Sequence, residues 1–230
     1  MQYFGAYRFL FESPKWAIHL LIGAVCQLVP IVGPLVLMGY VYNVLETKHR
    51  HGRDQYPPFD FNRLSVYLVR GLWPFLVSLV AALPVFLVLV PFILIVAVSG
   101  AAAGQDGDPP LFTMALFAVG IPLFAVFLFA LHVVAQPMIL RAGFSQDLGS
   151  AFSMTFVRDF LSRVWKELLL SILFLIVTGL LVVLAGLLLF CVGVYAAAVV
   201  LLFAQFHFHY QLYELYLQRG GTPIPLKAEV

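Results

Sequence analysis

The sequence predicts an all-α fold, a polytopic bundle of membrane helices. Three observations point there. Of its 230 residues 63% are hydrophobic and only 10% charged, where a soluble domain carries about a quarter charged residues. The mean hydropathy is +1.00, more apolar surface than a soluble core can hide. Three long stretches, Leu72 to Ala103, Pro109 to Leu140 and Leu168 to Tyr213, contain no Asp, Glu, Lys or Arg.

The elements follow in chain order. Trp16 to Leu45 is apolar but interrupted by Pro30-Ile31-Val32-Gly33-Pro34. A proline inside a helix removes a donor and clashes with the preceding turn, so one straight helix is excluded. Two readings remain: one kinked crossing, or a short hairpin with Trp16–Val29 going up and Pro34–Glu46 coming down. Each arm of the hairpin is about 21 Å long, below a typical ~30 Å hydrocarbon core. Full-length crossings are expected near 72–99 and 111–139. The third uncharged stretch is too long for one crossing, so crossings near 167–189 and 192–216 are expected, with the turn at Phe190-Cys191-Val192-Gly193. The first apolar run lacks the small-residue flank of a cleavable leader and is expected to be mature structure.

A repeated grammar accompanies these runs. Tyr7-Arg8-Phe9-Leu10 precedes Lys15-Trp16; Tyr67-Leu68-Val69-Arg70-Gly71-Leu72 precedes Trp73; Phe156-Val157-Arg158-Asp159-Phe160 precedes Val164-Trp165. All three tryptophans of the chain stand at this one place, where an indole with a neighbouring base anchors a helix at headgroup level. We therefore expect three units of interfacial helix, up-helix and down-helix, at about 1–55, 56–143 and 144–219, with a short tail 220–230, in one membrane domain. This repeat favours the hairpin.

In the hairpin topology all thirteen Lys and Arg residues fall on one side: Arg8 and Lys15; Lys48, Arg50, Arg53, Arg63 and Arg70; Arg141, Arg158, Arg163 and Lys166; Arg219 and Lys227. The opposite connection, Gly100 to Pro110, carries Asp106 and Asp108 and no base. The positive-inside rule then puts both termini in the cytoplasm of a cell whose plasma (inner) membrane holds the chain. Asp60, Arg63, Tyr67 and Arg70 share one helical face and Phe61, Leu64 and Leu68 another. Phe152, Phe156 and Phe160 recur every four residues, Asp159 and Arg163 are spaced to pair, and Asp147 is placed to cap that helix. Such segments suit helices in the headgroup plane. Trp16, Trp73, Trp165, Arg63, Arg70, Arg158 and Arg163 are the candidate membrane-interface anchors, and the four arginines suit anionic lipid or partner recognition.

Little else carries chemistry. His49 and His51, and His207 and His209, have a two-residue spacing that points side chains apart on a helix; with His132 they read as hydrogen-bonding groups, not metal ligands. Cys26 and Cys191 lie in apolar runs and read as small buried residues. No nucleophile elbow, phosphate-binding glycine loop or paired carboxylates appear. No Asp, Glu, Lys or Arg lies deep in an expected crossing, which disfavours ion-coupled transport. The scattered bases do not suggest a nucleic-acid partner. Gly179, Gly186 and Gly193 are expected to serve close helix packing, and Gly100 and Gly104 suit a helix contact.

The segments Glu12-Ser13-Pro14-Lys15-Trp16, Leu28-Val29-Pro30-Ile31-Val32-Gly33-Pro34 with Gly39-Tyr40, and Tyr56-Pro57-Pro58-Phe59-Asp60 before Gly71-Leu72-Trp73 resemble domain-of-unknown-function family 4013, a prokaryotic multi-pass membrane family. The resemblance is clearest over residues 7–80, and the family brings no activity with it. The expectation is a non-catalytic integral membrane protein, a structural or accessory subunit packing against other membrane proteins in contact with membrane lipids. A translocator of lipid or small solute, using a groove near Pro84, Pro91 and Pro122, is the alternative. No cofactor and no metal is predicted; a bound lipid is compatible with the sequence.

Overall fold

The computed structural model describes residues 1–52, 56–102, 111–189 and 192–227. The expected turn at Phe190-Cys191, the connection bearing Asp106 and Asp108, Gly104 and Arg53 lie outside the described residues. Among those described, the regular elements are helical: α1 (Tyr3–Phe11), α2 (Trp16–Leu28), α3 (Val32–His51), a 3-10 turn (Phe61–Arg63), α4 (Leu64–Ala102), α5 (Leu111–Ser145), α6 (Leu148–Ala151), α7 (Met154–Leu188) and α8 (Val192–Gln218). Four of them, α4, α5, α7 and α8, are long and apolar enough to cross a membrane. The chain is a multi-pass membrane protein.

The 16–46 segment is a hairpin. Pro30 ends α2, and Ile31 at the tip has φ +66°, strained for a β-branched residue. An added Cβ on Gly33 would stand 1.6 Å from the Cys26 carbonyl oxygen, so only glycine lets α3 start this close to α2. Gly33 meets Cys26 and Tyr40 meets His19, which makes the two helices antiparallel. At 13 residues α2 is about 20 Å long, too short to span.

The tryptophan-preceding segments differ from one another in backbone. α1 and α2 meet at 93°, around Ser13-Pro14. α7 has a non-helical residue, Val164 (φ −131°, ψ 17°), directly before Trp165. Before Trp73 there is no break, and the expected separate interfacial helix is instead the 3-10 turn and first turns of the continuous α4. The expected cap is also shared out. Asp147 accepts from Gly149 and Ser150 N–H at the start of α6, while the Ser153 side chain caps α7.

The chain forms two compact units, Met1–Val77 with Gln136–Val230, and Ser78–Ala135. In the first, α8 packs against α7, α1, α2 and α3. Its core is aromatic, with Tyr40, Tyr42, Tyr67, Phe144, Phe160, Phe203 and Tyr213 fully buried. Gly39 of α3 and Gly71 of α4 cross with their backbones in contact: a Cβ on Gly39 would stand 1.8 Å from the Tyr67 carbonyl oxygen, and one on Gly71 1.9 Å from that of Leu35. Of the three glycines spaced by seven, Gly186 and Gly193 lie against each other, whereas among the described residues Gly179 meets Leu201 alone, at 3.4 Å. The second unit is a helix pair. Phe92 packs edge-on against Phe117 and covers Gly120. Most of its described side chains are exposed and apolar, Leu87 at 76% and Val126 at 67%. A helix apolar on all sides has lipid or other helices as its solvent.

Candidate functional site

One set of charged groups in the first unit gathers on the C-terminal half of α3. Glu46 and Lys48 lie there, buried at 6% and 5% exposure. Charged groups this enclosed need partners, and each has them. Glu46 accepts from Arg50 Nε at 2.8 Å and from the Arg70 guanidinium of α4. Lys48 Nζ donates to Glu12 at 2.5 Å and lies over the rings of Phe9 and Tyr56, 5.0 and 5.7 Å from their centroids. His49 Nδ1 is 2.9 Å from Glu214 of α8.

An aromatic layer backs these pairs. The His19 ring stacks on Tyr56, its Nε2 is 3.3 Å from the Tyr40 hydroxyl, and Tyr40 donates to the Pro57 carbonyl at 2.9 Å. His19 Nδ1 and the Tyr56 hydroxyl are buried without a hydrogen-bond partner. Burial, and then the Glu12 carboxylate, push the Tyr56 hydroxyl far above its ordinary range, so it stays a neutral phenol. Between α3 and α5, Tyr42 donates to the Ile139 carbonyl at 2.9 Å. Between α8 and α5, His209 pairs with Gln136.

Two cavities open beside this cluster. One, of about 350 Å³, has Gln2, Glu12, Lys48, His207 and Glu214 among its walls. The other, of about 490 Å³, is bounded by Asn43, Glu46, Thr47, Arg63, Arg70, Gln146 and Lys227, with Val66 and Val69. A second polar cluster closes the end of α8 over α7. Arg163 pairs with Asp159 at 2.9 Å, Tyr216 donates to Asp159 at 2.7 Å, and Arg219 pairs with Glu167 at 2.5 Å. Thr222 and Ile224 N–H then donate to Tyr216 and Tyr213, which ties down the tail.

The candidate anchors are scattered among these environments. Trp16 and Trp165 are exposed, at 42% and 49%. Trp73 is partly buried, with its indole N–H enclosed and unpartnered. Arg158 is exposed. Arg163 is ion-paired, and Phe156 and Phe160 beside it pack on Tyr216. That aromatic stripe faces the protein, not a headgroup plane. Arg63 is exposed at the mouth of the larger cavity. Arg70 is 5% exposed and paired with Glu46, so its charge is held inside the fold. On α4 the face bearing Tyr67 and Arg70 turns inward, and Leu64, Val66 and Val69 turn outward. Sequence reasoning missed Glu12, Glu46 and Lys48 as a cluster. The available signal was the four-residue spacing of Glu46 and Arg50. Among the described residues no three His, Cys, Asp or Glu side chains come together to hold a metal.

The family model described as protein of unknown function (DUF4013) matches residues 22–191, about three quarters of the chain. That range contains Glu46, Lys48, Arg63 and Arg70, and leaves out Glu12, Glu214 and Lys227. No curated protein and no solved structure matches the chain.

Proposed function

The chain belongs to the family described as protein of unknown function (DUF4013), and we propose that this member is a non-catalytic subunit of a plasma (inner) membrane. In this reading both termini are cytoplasmic and Ser78–Ala135 packs against other membrane proteins. One observation carries it, the contrast between the two units. In the first, Glu46, Lys48, His49, Asp159 and Glu167 are each engaged with a neighbouring side chain of the same unit, as in a rigid scaffold. In the second, no residue of the most apolar 18-residue window is buried, on α4 or on α5. Phe92 meets Phe117 and Gly120 between the two helices, and most other described side chains stay exposed, which leaves wide apolar faces for further helices. The orientation rests on charge. No Lys or Arg lies between Ser78 and Ala135, and bases stay on the cytoplasmic side.

Photo-crosslinking residues at positions 87 and 123 in native membranes test the partner. Both side chains are exposed, and adducts with another membrane protein are expected. Adducts with lipid alone, together with solute or lipid flux in proteoliposomes, would replace the accessory reading with a translocator. Arg158→Cys in a background free of Cys26 and Cys191 tests the orientation. An impermeant thiol reagent should label it only after the membrane is opened; labelling in intact cells would reverse the topology.

A further inference from the structure

We propose that the cavity of about 490 Å³ beside the first turns of α4 holds the phosphate of an anionic phospholipid headgroup. Its size is that of a small-ligand pocket. Its charge is one-sided. Glu46, the one acidic side chain in its wall among the described residues, is already bound by both Arg50 and Arg70. Arg63 and Lys227 line the same space, and neither forms an ion pair with any described residue. Among the described residues three cations, Arg63, Arg70 and Lys227, thus share the wall with one carboxylate that Arg50 also pairs. Arg70, nine-tenths buried and in the cavity wall, keeps its Nε without a partner. Guanidinium groups suit phosphate oxygens by geometry as well as by charge.

The cavity also has an apolar flank, which selects a lipid over a free anion. Val66 and Val69, both 47% exposed, line it, and Arg63, Val66 and Arg70 fall at i, i+3 and i+7 along one stripe of the helix start. The same helix continues past Trp73 as a membrane span. Acyl chains leaving the headgroup would run along that outward apolar face while the phosphate met the bases. A basic pocket between helices at the membrane surface is the expected form of such a site.

The test uses the full-length protein in detergent, titrated with phosphatidylglycerol and, separately, with phosphatidylcholine, and read by native mass spectrometry. The Arg63→Gln/Lys227→Gln double variant removes two exposed side chains that hold no other element in place. At the usual weight of a base near a lipid surface, it should weaken phosphatidylglycerol retention about 30-fold. Arg158→Gln, exposed and away from the cavity, should stay within about twofold of the parent. Phosphatidylcholine should be held weakly by every form, and millimolar inorganic phosphate should not displace phosphatidylglycerol. Unchanged retention in the double variant, equal retention of the two lipids, or displacement by inorganic phosphate would each overturn the assignment.

Discussion

Gly39→Ala places a methyl group where α3 and α4 touch backbone to backbone. The new Cβ would stand 1.8 Å from the Tyr67 carbonyl oxygen and 2.9 Å from the Gly71 nitrogen. Neither atom belongs to a flexible side chain, so the helices must move apart by more than 1 Å. That movement loosens the edge-on contact of Tyr40 with Tyr67 and the buried pair of Glu46 with Arg70. Overpacking of this kind costs about 1–3 kcal/mol and more where backbone is displaced. Alanine's helix propensity returns about 0.5–1 kcal/mol. With backbone on the far side of the contact the upper end applies, so the net loss is about 2 kcal/mol, which for a chain of this size lowers Tm by about 4–8 °C.

Thermal unfolding of the detergent-solubilised protein reads this directly, and Gly179→Ala is the internal control. Its Cβ meets Leu201 at 3.4 Å, an ordinary contact, so propensity should dominate and Tm should hold or rise slightly. A Gly39→Ala protein that melts at or above the parent would refute the close crossing. Equal losses in both variants would show that the effect is general to helical glycines and not to this contact.

Two further substitutions probe the interior of the same unit. Glu46→Gln leaves the Arg70 guanidinium enclosed without a counter-charge and should cost about 3 kcal/mol, while Glu46→Leu with Arg70→Met should recover most of that loss; a double-mutant cycle on Tm checks it, and additive losses would deny the coupling. Tyr42→Phe deletes the bond to the Ile139 carbonyl and should cost about 1 kcal/mol, a fall of about 2–4 °C; an unchanged Tm would mean the bond contributes nothing.

Long uncharged runs made the four crossings legible, because a helix satisfies every backbone group of a single run within itself in lipid. The same constraint explains why α4 runs unbroken through Pro74, Pro84 and Pro91, although proline breaks helices elsewhere in this chain. At Pro14 and Pro30 polar or short segments surround the ring, and there the chain does turn. The Asp159–Arg163 pair was readable because both partners lie on one helix. The cluster on α3 was not. Glu46 finds Arg70 24 residues away and Lys48 finds Glu12 36 residues away, and no local spacing announces such partners. The tryptophan grammar was readable as sequence, yet the backbone before it breaks at Pro14, kinks at Val164 and runs straight at Trp73. The faces of α4 and α7 were also readable, but not their direction, since an amphipathic stripe is the same whether its polar side meets water or another helix.

The close crossing and the larger cavity have one origin. With no Cβ on Gly39 or Gly71, α4 approaches α3 closely enough for Arg70 to reach Glu46, and the same approach sets Arg63 and Val66 opposite Asn43 and Thr47. Arg50 meanwhile holds the Lys227 carbonyl at 3.0 Å, which brings the tail to the same wall. An occupant of that cavity would therefore touch α3, α4 and the tail at once. By mass action it would raise the stability of this unit, and widening the crossing with Gly39→Ala would weaken its binding without altering any group that contacts it.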